Sequence, residues 1–324
     1  MSLIYIKIDD GKWIQGDKFK IISKSLASNL QIKIINESFA LRKMISDKFF
    51  TPCMFASWRQ VLVNDNWKRL PLKKCIASVS SHYNIGGGLN PISTIGKNDN
   101  LEDVHEKAIH VLKQFGSVLV NSLRLYNHLS PYGLNLHYIP NGVDTSFYRP
   151  KSFEKMLSKK PIIGWVGKVK GAKNYELVRD VKKVLENIGF EFKEVALKKG
   201  DSNILGKEEM KEFYNSIDYY LCTSWHEGTP NPCLEAASCG VPLITTRVGN
   251  MPELVKERIN GFFIDPNIAS VENVLINVKS IKQSEYNKLS NNIRNDIENE
   301  WDWSQRGELF SNFFEQHIRL INEQ

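Results

Sequence analysis

Cysteine is scarce in this chain and is not spaced for a framework. Five cysteines occur among 324 residues, none in a C-x-x-C pair, so neither a zinc ribbon nor a disulfide-stapled scaffold is indicated. Their odd number suggests reduced thiols in a cytoplasm. Long apolar runs are also missing: none approaches the roughly 18–20 residues that span a bilayer. Lys7, Asp9 and Asp10 interrupt the stretch that a secretory signal would keep apolar, so no export signal is expected. The expected location is cytoplasmic, free or peripheral on the inner face of the cell membrane. Familiar nucleotide motifs are lacking too. Gly164-Trp-Val-Gly167 is not G-x-G-x-x-G, and Gly86–Gly88 has no helical pattern after it. A dehydrogenase is therefore disfavoured. No P-loop and no Ser/His/Asp arrangement occurs at a meaningful spacing.

Charge is plentiful but unevenly placed. The chain carries 43 Lys/Arg against 36 Asp/Glu, a net +7. Residues 1–150 hold 19 basic and 11 acidic side chains (+8), and the remainder holds 24 and 25 (−1). A basic first half suggests an anionic partner: a membrane surface, a lipid diphosphate or nucleic acid. Leu41, Met44, Ile45 and Phe49 fall on one helical face beside Arg42, Lys43 and Lys48, a mixture suited either to lipid headgroups or to a core-facing helix with a polar back. Trp58-Arg59 and Trp67-Lys-Arg-Leu-Pro-Leu-Lys-Lys74 interleave tryptophan with basic residues in the same way.

Apolar strands alternate with amphipathic helices along the chain, which implies parallel sheets. Strands are predicted at 4–8, 31–35, 74–80 and 117–121, with helices over 21–30 and 104–115. A second series opens at 161–166, followed by a helix over 175–188, a strand at 190–197 and a helix over 207–217. It continues with strands at 218–224 and 242–246, and a last helix spans about 305–320. The segment 150–161 reads as a linker.

The most informative stretch is Ser224–Pro242, Ser-Trp-His-Glu-Gly-Thr-Pro-Asn-Pro-Cys-Leu-Glu-Ala-Ala-Ser-Cys-Gly-Val-Pro. A buried strand runs into a Gly/Pro-rich turn, and a helix follows. Asn231 is the expected cap and Pro232 the first helical residue. Gly240 and Pro242 stop the helix. Glu227 on the turn and Glu235 in the first helical turn are placed to converge on one ligand. Carboxylates accept hydrogen bonds from vicinal hydroxyls, and a helix N-terminus accepts a phosphate, so a sugar nucleotide fits both.

The E-x7-E pair Glu227/Glu235 and its surroundings resemble the signature of retaining, family-four-type glycosyltransferases of the GT-B fold. Three further segments resemble that family in order: Tyr138–Pro150, Ile163–Lys168 followed by Lys173-Asn174, and Val248–Val255 followed by Asn260–Ile264. The resemblance is strong over about 138–265. It implies an α/β protein of two Rossmann-like, doubly wound domains facing each other across a cleft. Residues 1–150 would form the acceptor domain, 151–304 would bind the nucleotide sugar, and the helix at 305–324 would pack back on the first domain.

By the same resemblance, Lys168 and Lys173 neutralise a departing diphosphate, although the family usually has Arg at the first position. Glu227 belongs to the catalytic group, and His82 faces the reacting sugar or is a surface histidine. The donor would be held by Gly16, by Gly228, Thr229, Asn231, Cys233 and Leu234, and by Glu235 through its ribose hydroxyls. Asn250 stands where the family has glycine and is expected to take a positive φ. No metal or other cofactor is expected. The partners implied are a nucleoside-diphosphate sugar and a glycan or lipid-linked acceptor of bacterial surface-glycan assembly, with an anionic membrane beside the basic half and nucleic acid disfavoured. Closure of the domains would exclude water. Other readings are a nucleic-acid-directed GT-B protein, a non-catalytic partner of another transferase, and a sugar-nucleotide epimerase.

Overall fold

A computed structural model describes residues 2–8, 14–35, 51–63, 69–81, 85, 104, 106–152, 155–169, 171–197 and 205–323. The chain forms two compact units. Of the described residues, those up to 141 and those from 303 onward form the first, and 142–302 form the second. The helix expected at 40–50, together with His82, Trp67 and Gly86–Gly88, lies outside the described residues.

The first unit is built on β1 (Ser2–Lys7), α1 (Ile14–Lys24), β2 (Leu30–Ile35), β3 (Cys53–Phe55), α2 (Gln60–Val63), β4 (Ile76–Val79), α3 (Glu106–Leu112), β5 (Ser117–Val120), α4 (Leu123–Leu129) and β6 (Leu136–Tyr138). The six strands are all parallel, in the order β2-β1-β3-β4-β5-β6. Side chains of a strand alternate between its two faces, so a parallel sheet covered on both sides needs apolar residues at successive positions. Such runs occur here. Ile4, Ile6, Met54, Ile76 and Leu119 enter one core, while Tyr5, Cys53, Phe55, Ala77, Val118 and Val120 enter the other.

The final helix, α11 in chain order (Trp303–Asn322), belongs to the first unit. Its apolar stripe packs beside α1. Phe19 and Phe310 meet edge to face, ring centroids 6.4 Å apart, and Phe310 and Phe314 are fully buried. Each such aromatic contributes roughly 1.5–3 kcal/mol of burial. The helices approach closely because residue 307 has no side chain: a Cβ there would lie 2.2 Å from Ser25 Cβ. Further along, His317 Nδ1 shares a 2.8 Å hydrogen bond with the Ser117 hydroxyl at the start of β5.

The second unit contains β7 (Ile162–Lys168), α5 (Tyr175–Ile188), β8 (Glu191–Leu197), α6 (Lys207–Asn215), β9 (Tyr219–Cys222), α7 (Asn231–Ser238), β10 (Leu243–Thr245), α8 (Met251–Leu254), β11 (Gly261–Phe263), α9 (Ile268–Lys279) and α10 (Gln283–Glu300). Its five strands are parallel, in the order β11-β10-β9-β7-β8. The chain steps from β7 to β8 on one side and returns to β9 on the other. The order therefore reverses between β7 and β9. In open α/β sheets, ligands bind beyond the strand C-termini at such a reversal.

Residues 142–150, expected at the end of the first domain, lie in the second unit. The Val143 N–H donates to the Trp301 carbonyl at 2.9 Å. Arg294 donates to the carbonyls of Thr145 (3.1 Å), Tyr148 (3.0 Å) and Ser238 (2.5 Å). A guanidinium spanning three carbonyls satisfies backbone that would otherwise be unpaired, and so fixes the segment.

Two local expectations are corrected. Asn231 is the first residue of α7 rather than its cap; Pro230 holds that place, with no side-chain cap bond. Trp58, Leu70 and Leu72 are core residues rather than lipid anchors, with Trp58 wholly buried. Among the described residues, no helix is long and apolar enough to cross a membrane.

Candidate functional site

β7 and β9 end side by side at the strand reversal, and the turns that leave them are stitched together. Thr223 Oγ1 donates to the Lys173 carbonyl at 2.9 Å, and the Trp225 N–H donates to the Ala172 carbonyl at 2.9 Å. These bonds bring the turn after β7 against the turn after β9. Lys173 Nζ then donates to Glu227 Oε1 at 2.5 Å, and the Ser224 hydroxyl donates to the same oxygen at 2.9 Å. Both bonds fall on Oε1, which leaves Oε2 directed to no described protein donor. The side chains of Lys173 and Glu227 keep 19% and 15% of their exposure. The pair is desolvated yet reachable.

Burial, the largest single influence, lowers the Lys173 pKa, but the charge and hydrogen bond of Glu227 together with the neighbouring Cys222 and Cys233 leave it raised above the ordinary value. Lys173 is therefore a fixed cation at neutral pH. Beneath the pair lie two buried thiols. A hydrogen bond from Cys233 pulls Cys222 down to about 7 against the effect of burial, while burial pushes Cys233 well up. Lys168 is the last residue of β7 and is exposed.

The loop after Glu227 is pinned from the far side. The Asn250 N–H donates to the Gly228 carbonyl at 3.1 Å, and Asn250 Nδ2 donates to Thr229 Oγ1 at 3.0 Å. Asn250 itself has φ −96°, contrary to expectation; Gly249 takes the positive φ, +52°. Glycine is needed there for space as well, since a Cβ would lie 2.1 Å from the Gly228 carbonyl oxygen.

Glu235 is not joined to Glu227. Its Oε2 accepts the Tyr214 hydroxyl at 2.6 Å, and the Tyr148 hydroxyl acts on the same carboxylate from nearby. Burial raises its pKa to about 7, opposed by the two tyrosines and more weakly by Lys207. The E-x7-E spacing thus delivers two carboxylates with different partners: an ammonium for one, phenols for the other.

The other expected residues scatter. Cys233 and Leu234 are buried in the core, so only their backbone could face a ligand. Asn231 is half-buried at the head of α7. Gly16 lies inside α1 rather than on the loop before it. Ser224, Tyr148, Tyr214 and the bonding role of Asn250 were not foreseen. Tyr148 and Tyr214 stack edge to face at 6.0 Å although 66 positions separate them in sequence, and no local pattern announces such a contact.

Residues 196–296 match the family described as glycosyl transferases group 1, which places this segment, containing both glutamates, in that family. The chain is 28% identical over 177 residues to a GDP-mannose-dependent alpha-mannosyltransferase of Corynebacterium glutamicum, covering 49% of this chain and 42% of that one. It is 34% identical over 94 residues to the UDP-Gal:alpha-D-GlcNAc-diphosphoundecaprenol alpha-1,3-galactosyltransferase of Escherichia coli, covering 29% and 24%. The matches span less than half the length of these curated relatives. Among solved structures, the sucrose-phosphate synthase of Thermosynechococcus elongatus superposes with a TM-score of 0.73 at 13% identity, covering 98% of this chain and 100% of that one. Anabaena HepE in complex with UDP and glucose gives 0.71 at 12% identity, with the same coverage. The fold is that of the GT-B glycosyltransferases, with two Rossmann-like domains.

Proposed function

We infer that this chain is a group 1 glycosyltransferase that moves a hexosyl group from a nucleoside-diphosphate sugar to an acceptor hydroxyl, with retention at the anomeric carbon. The observation that carries the reading is the Lys173–Glu227 pair at the reversal between β7 and β9. The names of the relatives support it, since the two curated ones are sugar transferases by name and Anabaena HepE is solved with UDP and glucose.

The chemistry follows from the charges. The acceptor oxygen forms a bond to the anomeric carbon as the bond from that carbon to the diphosphate breaks. Negative charge builds on the leaving oxygen, and a preorganised cation stabilises it most where water is excluded. Lys173 and Lys168 supply that charge, as point charges rather than a bidentate fork. The acceptor proton passes to the leaving diphosphate, so no strong protein base is required. Glu227 Oε2 accepts a hydroxyl of the donor sugar, and the Glu235 oxygen not bonded by Tyr214 accepts a ribose hydroxyl. With two lysines at the diphosphate, transfer is expected to persist in a chelator.

The acceptor is a glycan or a lipid-linked glycan bound by the first unit. The donor comes from the cytoplasm, and the basic first half would hold the enzyme near an anionic membrane through its charge, a contact in which the buried Trp58 takes no part.

A thermal-shift screen against UDP, GDP, CDP, ADP and dTDP, with and without magnesium, tests the reading. A ligand that binds the native state raises the apparent melting temperature. One diphosphate should stabilise the protein without magnesium. No shift with any of the five would overturn the assignment.

A further inference from the structure

We propose that Asn250 is a positioning residue for the donor site: it holds the 227–229 loop in the conformation that presents Glu227. This rests on reading that loop as part of the donor site. Asn250 is fully buried and caps α8 from the turn beyond β10. It reaches the loop twice, through its backbone N–H to the Gly228 carbonyl and through its side-chain amide to the Thr229 hydroxyl. Gly249 beside it lies against the same loop, with room for no Cβ.

Stability does not account for an amide here. The Asn250 Oδ1 is buried with no hydrogen-bond partner among the described residues, and an unpaired buried acceptor costs free energy. A smaller apolar residue would avoid that cost and keep the backbone bond. What the amide adds is the bond to Thr229. By occupying a lone pair of that hydroxyl it fixes the rotor and the backbone that carries it. Thr229 lies two residues from Glu227, and Lys173, which donates to Glu227 Oε1, comes from the turn after β7, the neighbour of β9 on the side away from β10. The loop is therefore clamped between the turn after β7 and the turn after β10. Removing one jaw should let Glu227 drift from the position its hydroxyl contact needs. Such misplacement is expensive in catalysis even where folding hardly notices it.

The test compares Asn250→Ala, Thr229→Val and the double variant, together with hydrogen exchange of the peptide covering 226–230. Each single change should lower kcat/KM for the donor by up to about tenfold, one neutral hydrogen bond's worth. The double should be no worse than the poorer single, because both remove the same bond. Exchange in 226–230 should quicken in Asn250→Ala while peptides from β7 and β9 keep their protection. Additive losses, wild-type kinetics in Asn250→Ala, or exchange unchanged in 226–230 would overturn the proposal. So would exchange that quickens uniformly across the second unit, the mark of a merely structural residue. If the wild-type protein neither transfers sugar nor binds any nucleoside diphosphate, the functional reading fails, and the exchange experiment still decides whether Asn250 holds the loop.

Discussion

Lys173 Nζ and Glu227 Oε1 lie 2.5 Å apart and join the turns that leave two neighbouring parallel strands. An ammonium and a carboxylate held this way are preorganised: no side chain has to be recruited when a diphosphate arrives. The arrangement also carries a cost. Removing one partner leaves the other partly desolvated and unpaired, so a deletion variant is read together with its own melting temperature.

Glu227→Gln keeps the hydrogen bonds, because the amide oxygen can still accept from Lys173 and Ser224, although the countercharge of Lys173 is lost. The variant should remain folded, with a somewhat lower melting temperature than the wild type. Transfer should fall by at least about a hundredfold, the usual loss when a preorganised polar group is removed from the reacting centre. Turnover of donor and acceptor, followed by chromatography of the product, checks this. Wild-type turnover in Glu227→Gln would remove the residue from the site.

Glu235 gives a pH signature. Its native pKa is raised to about 7, against an ordinary value of 4.5. Between these values the native state holds the proton more tightly than the unfolded chain. The carboxyl's contribution to stability is therefore full below about 4.5 and is lost as pH rises through 7. Glu235→Gln has no such titration, so the melting temperature of the wild type relative to the variant should fall between pH 5 and pH 8. Parallel melting curves across that range would show that the carboxyl is not perturbed.

Gly249→Ala should damage the loop directly. A non-glycine residue at its φ of +52° costs roughly 1–3 kcal/mol, and the new Cβ would press on the Gly228 carbonyl at 2.1 Å. Denaturant unfolding should show a loss of at least about 2 kcal/mol, with weakened diphosphate binding. A fully stable variant would mean that the turn relaxes without moving residues 227–229.

Much of this architecture is legible in the sequence itself. Helix 175–188 was legible to the residue because Leu177, Val178, Val181 and Leu185 recur at helical spacing and are buried. The strand–turn–helix around Glu227 was legible because turn residues separate an apolar run from a helix former. The three-residue strands β3, β6 and β11 were not, since so few residues cannot show a period; β10, equally short, was legible because an apolar run follows the stop at Gly240 and Pro242. α10 was missed although Tyr286, Leu289, Ile293 and Ile297 form a buried stripe, because polar residues dominate the segment. At the site, residue types and chain order pointed to Lys173 and Glu227. The partners of Glu235 come from positions 148 and 214, and only the folded chain brings them together. Asn250 was misjudged for a local reason: one glycine suffices for the positive φ, and Gly249 already provides it.

The central claim is that Lys173, paired with Glu227, holds the diphosphate of a sugar nucleotide. Calorimetric titration of the stabilising nucleoside diphosphate into the wild type and into Lys173→Ala tests it most directly. The wild type should bind, and Lys173→Ala should bind at least about tenfold more weakly, the worth of one charge-assisted hydrogen bond. Adding Lys168→Ala should deepen the loss. Equal affinities in the wild type and both variants would contradict the account and move the diphosphate elsewhere.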